Sequence, residues 1–350
     1  MKLYYPKAHY NENFRTLVFP LLKPFIKGEN FTDAERIALY GISENDFIFT
    51  EVLEEADLVF LTMAWNYYVN TDRKDIAISF VKQCELLNKK VIAFNAGDFG
   101  VNIPIFDNLI VLRPSGYKSK FSKNEYSMPA FIEDPLPQYF NSNEIIQRPY
   151  NPKATIGFCG QANSSQINAV KETFKTFLRN FKFHVGISKN DPQLLLSTSY
   201  LRASALKSLQ KSSLVTSNFI FRKQYRAGVK KQKETHKTTL EFYENINSSD
   251  YVVCVRGAGN FSIRFYETLA MGRIPIFVNT DCALPLENEI DWKRHVVWIE
   301  KKEIKNIAEK VKDFHSALSS NDFIDLQNAN RTLWNERLTL NGFFKTFRIK

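Results

Sequence analysis

Cysteine is scarce in this chain of 350 residues: Cys84, Cys159, Cys254 and Cys282 stand far apart, none in a C-x-x-C pair. That usage excludes a disulfide scaffold and suggests no zinc site. His9, His184, His236, His295 and His315 likewise show no metal-ligand spacing. No stretch approaches the roughly 20 apolar residues that span a bilayer, and the first ten residues, MKLYYPKAHY, lack the apolar centre of a secretory leader. A reducing, cytoplasmic setting is therefore expected. Repeats and low-complexity tracts are absent too, and a composition 44% hydrophobic and 24% charged excludes disorder and collagen.

Acidic residues are in deficit, 37 Asp and Glu against 47 Lys and Arg, for a formal net charge of +10. Nearly all of it lies between Tyr200 and Leu240, where ten Lys and Arg face Glu234 alone. Such a run is a solvated face, a nucleic-acid footprint or a surface for anionic lipid or a phosphate-bearing substrate. No nucleic-acid module is recognisable, so the expected partner is an anionic membrane face or an acceptor molecule.

What is present has the rhythm of an α/β protein. A length of 350 residues gives a prior of two domains. Residues 57–62 (DLVFLT) form a short apolar run, residues 72–87 carry apolar positions at helical spacing, and residues 90–95 (KVIAFN) are again strand-like. Strand, helix, strand in that order is a βαβ unit. Residues 108–112 predict another strand, and the proline-bearing stretch up to 152 reads as a linker. The pattern restarts with strands at 154–159 and 183–187 around a helix at 166–180. It continues with a helix at 238–246, strands at 251–255, 274–278 and 295–299, and closing helices at 301–318 and 322–338.

The segment from Ser249 to Trp292 carries the chemistry. A buried strand ending at Val255 delivers Arg256 to its carboxyl end, the edge where open α/β sheets bind ligands. Gly257, Ala258 and Gly259 let the backbone turn and approach a ligand. Asn260 or Ser262 can cap the next helix, whose first-turn N–H groups suit a diphosphate. Arg264 adds charge in that turn, and Glu267 follows on the same face, placed to accept from ribose hydroxyls. The bland alternative is an ordinary strand-to-helix turn with an Arg264–Glu267 ion pair.

The full run, Arg256-Gly257, Gly259, Ser262, Arg264, Glu267, Gly272, Ile274-Pro275, Asp281, Leu284-Pro285 and Ile290-Asp291-Trp292, resembles the exostosin family of glycosyltransferases (family forty-seven). It departs from the family pattern at Val255, where proline is usual, and at 279–282. The resemblance implies a GT-B fold, two Rossmann-like domains facing a cleft: an acceptor-side domain with its linker over 1–150, a nucleotide-sugar domain over 151–320 and a closing helix over 321–350. It implies an inverting enzyme whose donor is a nucleoside-diphosphate sugar, whose acceptor is a glycan or lipid-linked glycan of lipopolysaccharide or capsule type, and which needs no cofactor. No Asp-x-Asp occurs, in keeping with a route that uses no metal. The donor would be bound by Gly160, Arg256, Gly257, Gly259, Asn260, Ser262, Arg264 and Glu267. Asp98, in the loop after the 90–95 strand, is the expected general base, ahead of His9 and Glu51. An α1,3-fucosyltransferase-like enzyme using a GDP sugar shares part of the pattern, but the Arg-Gly start and the Leu-Pro to Asp-Trp tail favour the exostosin reading.

Overall fold

The structure is a computed structural model and describes residues 2–27, 30–222 and 232–347. Two sheets carry the chain. The first comprises β1 (Lys2–Tyr4), β2 (Ile48–Phe49), β3 (Leu58–Phe60), β4 (Val91–Phe94), β5 (Leu109–Arg113) and β6 (Glu125–Ser127), in the order β2-β1-β3-β4-β5-β6. The second comprises β7 (Thr155–Gln161), β8 (Thr216–Arg222), β9 (Tyr251–Cys254), β10 (Ile274–Asn279) and β11 (Val297–Glu300), in the order β8-β7-β9-β10-β11. All pairings within both sheets are parallel. In each, the chain reverses its direction of travel between the first and third strands, which creates a switch point there.

Burial on both faces explains the continuous apolar strands. Along β9, Tyr251 and Val253 enter a core formed with helices Thr198–Lys211 and Ile307–Ser316, while Val252 and Cys254 face the opposite way, into a core continuous with the first domain. The carboxyl edges of the two sheets meet. Ser115 and Tyr117, just beyond β5, bond Asn260 and Arg256, just beyond β9, and the Ser127 hydroxyl donates to the Ala283 carbonyl. This is the two-domain GT-B arrangement that the resemblance implies.

Several sequence expectations need correction. Residues 183–187, read as a strand, are the end of helix Gln166–His184 and a turn, because the helical aromatic spacing continues through Phe181. The missing strand is β8, whose sequence TSNFIFR is half polar because it lies at the sheet edge. The stretch read as a linker contains β6 and helix Pro135–Phe140, with Asp134 as its cap and Pro135 at its first turn. Residues 321–350 do not form one closing helix. Helix Ser320–Leu333 ends in a wide turn, Trp334–Leu338, and helix Leu340–Thr346 returns to the first domain, where Phe343 and Phe344 pack on Phe131 and Phe344 also meets Phe19 and Phe60. Arg331 clamps Asp134 with two bonds of 2.9 and 2.6 Å, tying that helix to the crossing segment.

The basic run is split. Arg222 pairs with Glu241, and Arg202 turns into the crevice between the sheets. Lys223, Arg226, Lys230 and Lys231 lie outside the described residues. Among the described residues no helix is long and apolar enough to cross a membrane, and no cluster of three or more His, Cys, Asp or Glu is placed to hold a metal.

Candidate functional site

β7 and β9 are neighbours, and the switch point of the second sheet opens between their carboxyl ends. Gly160 belongs to the end of β7, and Arg256 lies two residues beyond β9, after Val255. The Arg256 guanidinium is buried and donates to the Tyr117 hydroxyl at 2.9 Å and to the Ala258 carbonyl at 2.9 Å, with a longer bond to Gln193. It thus sits where both domains touch.

Arg264 reaches back from helix Ile263–Ala270 beneath the sheet edge. Its Nη2 donates to the Cys159 carbonyl at 2.8 Å, and its guanidinium lies over the Phe158 ring, 4.5 Å from the centroid. Burial lowers its pKa from the usual arginine range. Gly160 sits at φ 157°, which favours glycine, and a Cβ there would stand 2.8 Å from Arg264 Nη2 and shift it. Arg202 completes the edge by donating to the carbonyls of Gln161 and Arg256 at 2.7 and 3.0 Å. Burial, reinforced by the like charge of Arg264, brings its pKa down to about 10.

A fourth guanidinium escaped the sequence reading. Arg179, on helix Gln166–His184, lies 3.9 Å over the Phe99 ring of the first domain. Burial depresses its pKa, the nearby Arg256 charge adds to that, and Tyr117 and Asp98 oppose it. Nothing in the surrounding lysine-rich sequence marks it, because its position depends on how the two domains meet. Nine buried side-chain polar atoms lack a hydrogen-bond partner among the described residues, and four of them are the Nε atoms of Arg179, Arg202, Arg256 and Arg264. Buried donors are ordinarily paired. The four guanidinium groups gather positive charge at the carboxyl end of the second sheet.

The remaining predicted residues divide. A Cβ on Gly259 would stand 2.9 Å from the Asp98 Cα and carbonyl oxygen, so this glycine serves domain contact. Around Gly257 a Cβ would meet open space, so protein packing does not require glycine there. Asn260 neither caps the helix nor faces the crevice freely. It is buried, its Nδ2 donates to the carbonyls of Gly116, Thr280 and Asp281, and its Oδ1 accepts from Thr280. Asn260 is therefore a clamp between domains. Ser262 occupies the cap position, but its side chain makes no cap bond, unlike the expected arrangement. Glu267 accepts from the Tyr243 hydroxyl at 3.3 Å, while Arg264 lies 5.5 Å from the neighbouring Phe242 ring, so both face helix Gln232–Asn247.

Carboxylates around the crevice are mostly engaged. Asp191 and Glu125 pair with Arg113, Asp281 accepts from Ser119, Glu172 accepts from Ser197 and Ser199, and Glu287 pairs with Lys118. Asp98 is exposed, its carbonyl is held by the Ser115 hydroxyl at 2.6 Å, and its carboxylate takes part in no hydrogen bond among the described residues. His9 lies at the first sheet's switch point, bonded to the Tyr68 hydroxyl at 2.9 Å, and Glu51 pairs with Lys7 on the surface. Trp292 is structural, packing on Phe265 and donating to the Pro285 carbonyl, whereas Asp291 is exposed and its side chain makes no cap bond.

A model of the exostosin GT47 domain matches residues 133–314, just over half of the chain. The chain belongs to the exostosin GT47 family. Its matched stretch spans β7 to β11 and every arginine of the crevice. Over 93 residues the sequence is 28% identical to Exostosin-1 of Drosophila melanogaster, a stretch covering 26% of this chain and only 12% of that protein. Among solved structures, a mutant of S. aureus TarM in complex with Fondaparinux, alpha-GlcNAc-glycerol and UDP aligns over 82% of this chain and 54% of its own, at 8% identity and a TM-score of 0.38. A glycosyltransferase from Rickettsia africae aligns over 98% and 95%, at 10% identity and a TM-score of 0.37.

Proposed function

We propose that this exostosin-family chain transfers a sugar from a nucleoside-diphosphate donor to a hydroxyl of a glycan or lipid-linked glycan of surface type, with inversion and without a metal. The observation that carries the donor side is the cluster of guanidinium groups of Arg179, Arg202, Arg256 and Arg264, each with a buried Nε that has no partner among the described residues, near the switch point of the second sheet. As the acceptor oxygen attacks the anomeric carbon, the bond to the diphosphate breaks and negative charge accumulates on the leaving group. Fixed guanidinium groups in a dry crevice stabilise that charge, a role in which losing one donor costs roughly 3 kcal/mol of barrier. Open space at Gly257 leaves room for the diphosphate to approach the backbone.

On the acceptor side, Asp98 is the carboxylate left free to take the hydroxyl proton, and its exposure at the domain contact suits that task. A panel of nucleotides and nucleotide sugars in a thermal-shift assay tests the reading: a true donor at about 100 times its dissociation constant adds about 2.7 kcal/mol of stability. Arg264→Ala removes that shift. Were no nucleotide to stabilise the wild-type chain, the donor site would be refuted.

A further inference from the structure

Helix Gln166–His184 shows an inverted surface. Its stripe Ile167, Val170, Phe174, Phe177, Leu178 and Phe181 has the spacing of a buried face, yet these six side chains are between 42% and 70% exposed, and no residue of the helix is buried. At 100° per residue the stripe spans about 100° of the helix surface. Lys171, Lys182 and Lys175, all exposed, follow within about 60° along one flank. Val185 and Ile187, also exposed, extend the apolar strip past the helix end. A contiguous aromatic surface of this kind on a soluble domain marks a docking site.

We propose that helix Gln166–His184 lies in the interface of an anionic membrane, with its aromatic stripe among the acyl chains and its lysine flank at the lipid phosphates. Charge selects this occupant. An antiparallel twofold pairing with a second copy would bring two lysine flanks together, and a parallel one would offer them no free counter-charge, because the helix's one acid, Glu172, already accepts from Ser197 and Ser199. Lipid phosphate complements the flank directly, and an apolar face beside basic residues is the composition of an in-plane helix. At 19 residues the helix is about 28 Å long, enough for several turns of aromatic contact.

The opposite face of the same helix belongs to the crevice. Arg179 covers Phe99, and Asn180 exchanges two hydrogen bonds with the Gln193 backbone, whose side chain contacts Arg256. One helix therefore presents lipid-compatible residues outward and site residues inward, which sets the crevice beside the bilayer. The inference does not rest on the proposed reaction, because it is read by partitioning rather than by turnover.

Cosedimentation of the full chain with vesicles of phosphatidylcholine, and with vesicles about one-third phosphatidylglycerol, tests it. We expect partitioning into the anionic vesicles at least about tenfold stronger than into the neutral ones. Phe174→Ser with Phe181→Ser, and separately Lys171→Gln with Lys175→Gln and Lys182→Gln, should each reduce it about tenfold or more. All these positions are exposed, and unchanged circular dichroism confirms that each variant is folded. Failure of the wild type to partition, or variants that bind as well as wild type, would overturn the proposal. So would a wild-type dimer in light scattering that Phe174→Ser with Phe181→Ser converts to a monomer, with no vesicle binding by either.

Discussion

Arg264 Nη2 occupies the space that a side chain on Gly160 would need, 2.8 Å from the position of its Cβ, while donating to the Cys159 carbonyl at the same distance. A residue on the helix after β9 and one at the end of β7 are thus fitted to each other at the switch point. Gly160→Ala shifts the guanidinium and puts a side chain at φ 157°, which L residues rarely adopt, a strain of about 1–3 kcal/mol, and should lower both the melting temperature and nucleotide affinity. Gly257→Ala meets no protein atom, so its stability should stay within about 0.5 kcal/mol of wild type. Its nucleotide-sugar affinity should nonetheless fall about tenfold through a clash with ligand. Calorimetric titration and thermal unfolding of the pair separate the two effects; an unaltered affinity in Gly257→Ala would place the diphosphate elsewhere.

Asp98→Asn keeps the size of the side chain and removes its capacity to take a proton. Because the fold holds Asp98 through its carbonyl rather than its carboxylate, nucleotide binding and melting temperature should be preserved. Transfer should drop about 10²–10⁴-fold. Radiolabelled-sugar transfer measured beside a nucleotide thermal shift checks this, and full activity would assign the base to another group.

Asn260→Ala should destabilise the chain without touching Arg202, Arg256 or Arg264. The substitution leaves the carbonyls of Gly116 and Thr280 without their side-chain donor, the Asp281 carbonyl with the Lys118 N–H alone, and the Thr280 hydroxyl without its acceptor. Losing one buried partner typically costs about 1–3 kcal/mol. Urea unfolding should show a lower midpoint, and a midpoint equal to wild type would remove Asn260 from the domain contact.

Burial lowers the His9 pKa below its ordinary value, because the charged ring is poorly solvated beside Tyr68 and Phe80. As pH falls, the unfolded chain therefore binds the proton first. The stability tied to neutral His9 is complete above the ordinary value of about 6.5 and declines as pH drops toward the folded value. Melting curves of wild type and His9→Asn recorded from about pH 8 to pH 5 should converge toward the acid end. A constant difference across that range would show that His9 does not titrate during unfolding.

The strand that delivers Arg256, the helix bearing Arg264 and Glu267, and the membership in the exostosin GT47 family could all be read from one continuous stretch of residues, because local spacing suffices for them. Periodicity also announced the stripe from Ile167 to Phe177 as one helix face, yet periodicity is the same for a stripe that faces a core and one that faces outward. Only the tertiary structure decided that this one is exposed. It likewise decided that Asn260 is a domain clamp, that Arg179 and Arg202 join the crevice, and that the last helix returns to the first domain. Each of these depends on contacts between residues tens to hundreds of positions apart. Local spacing carries no record of such distances; the meeting of two sheet edges creates them.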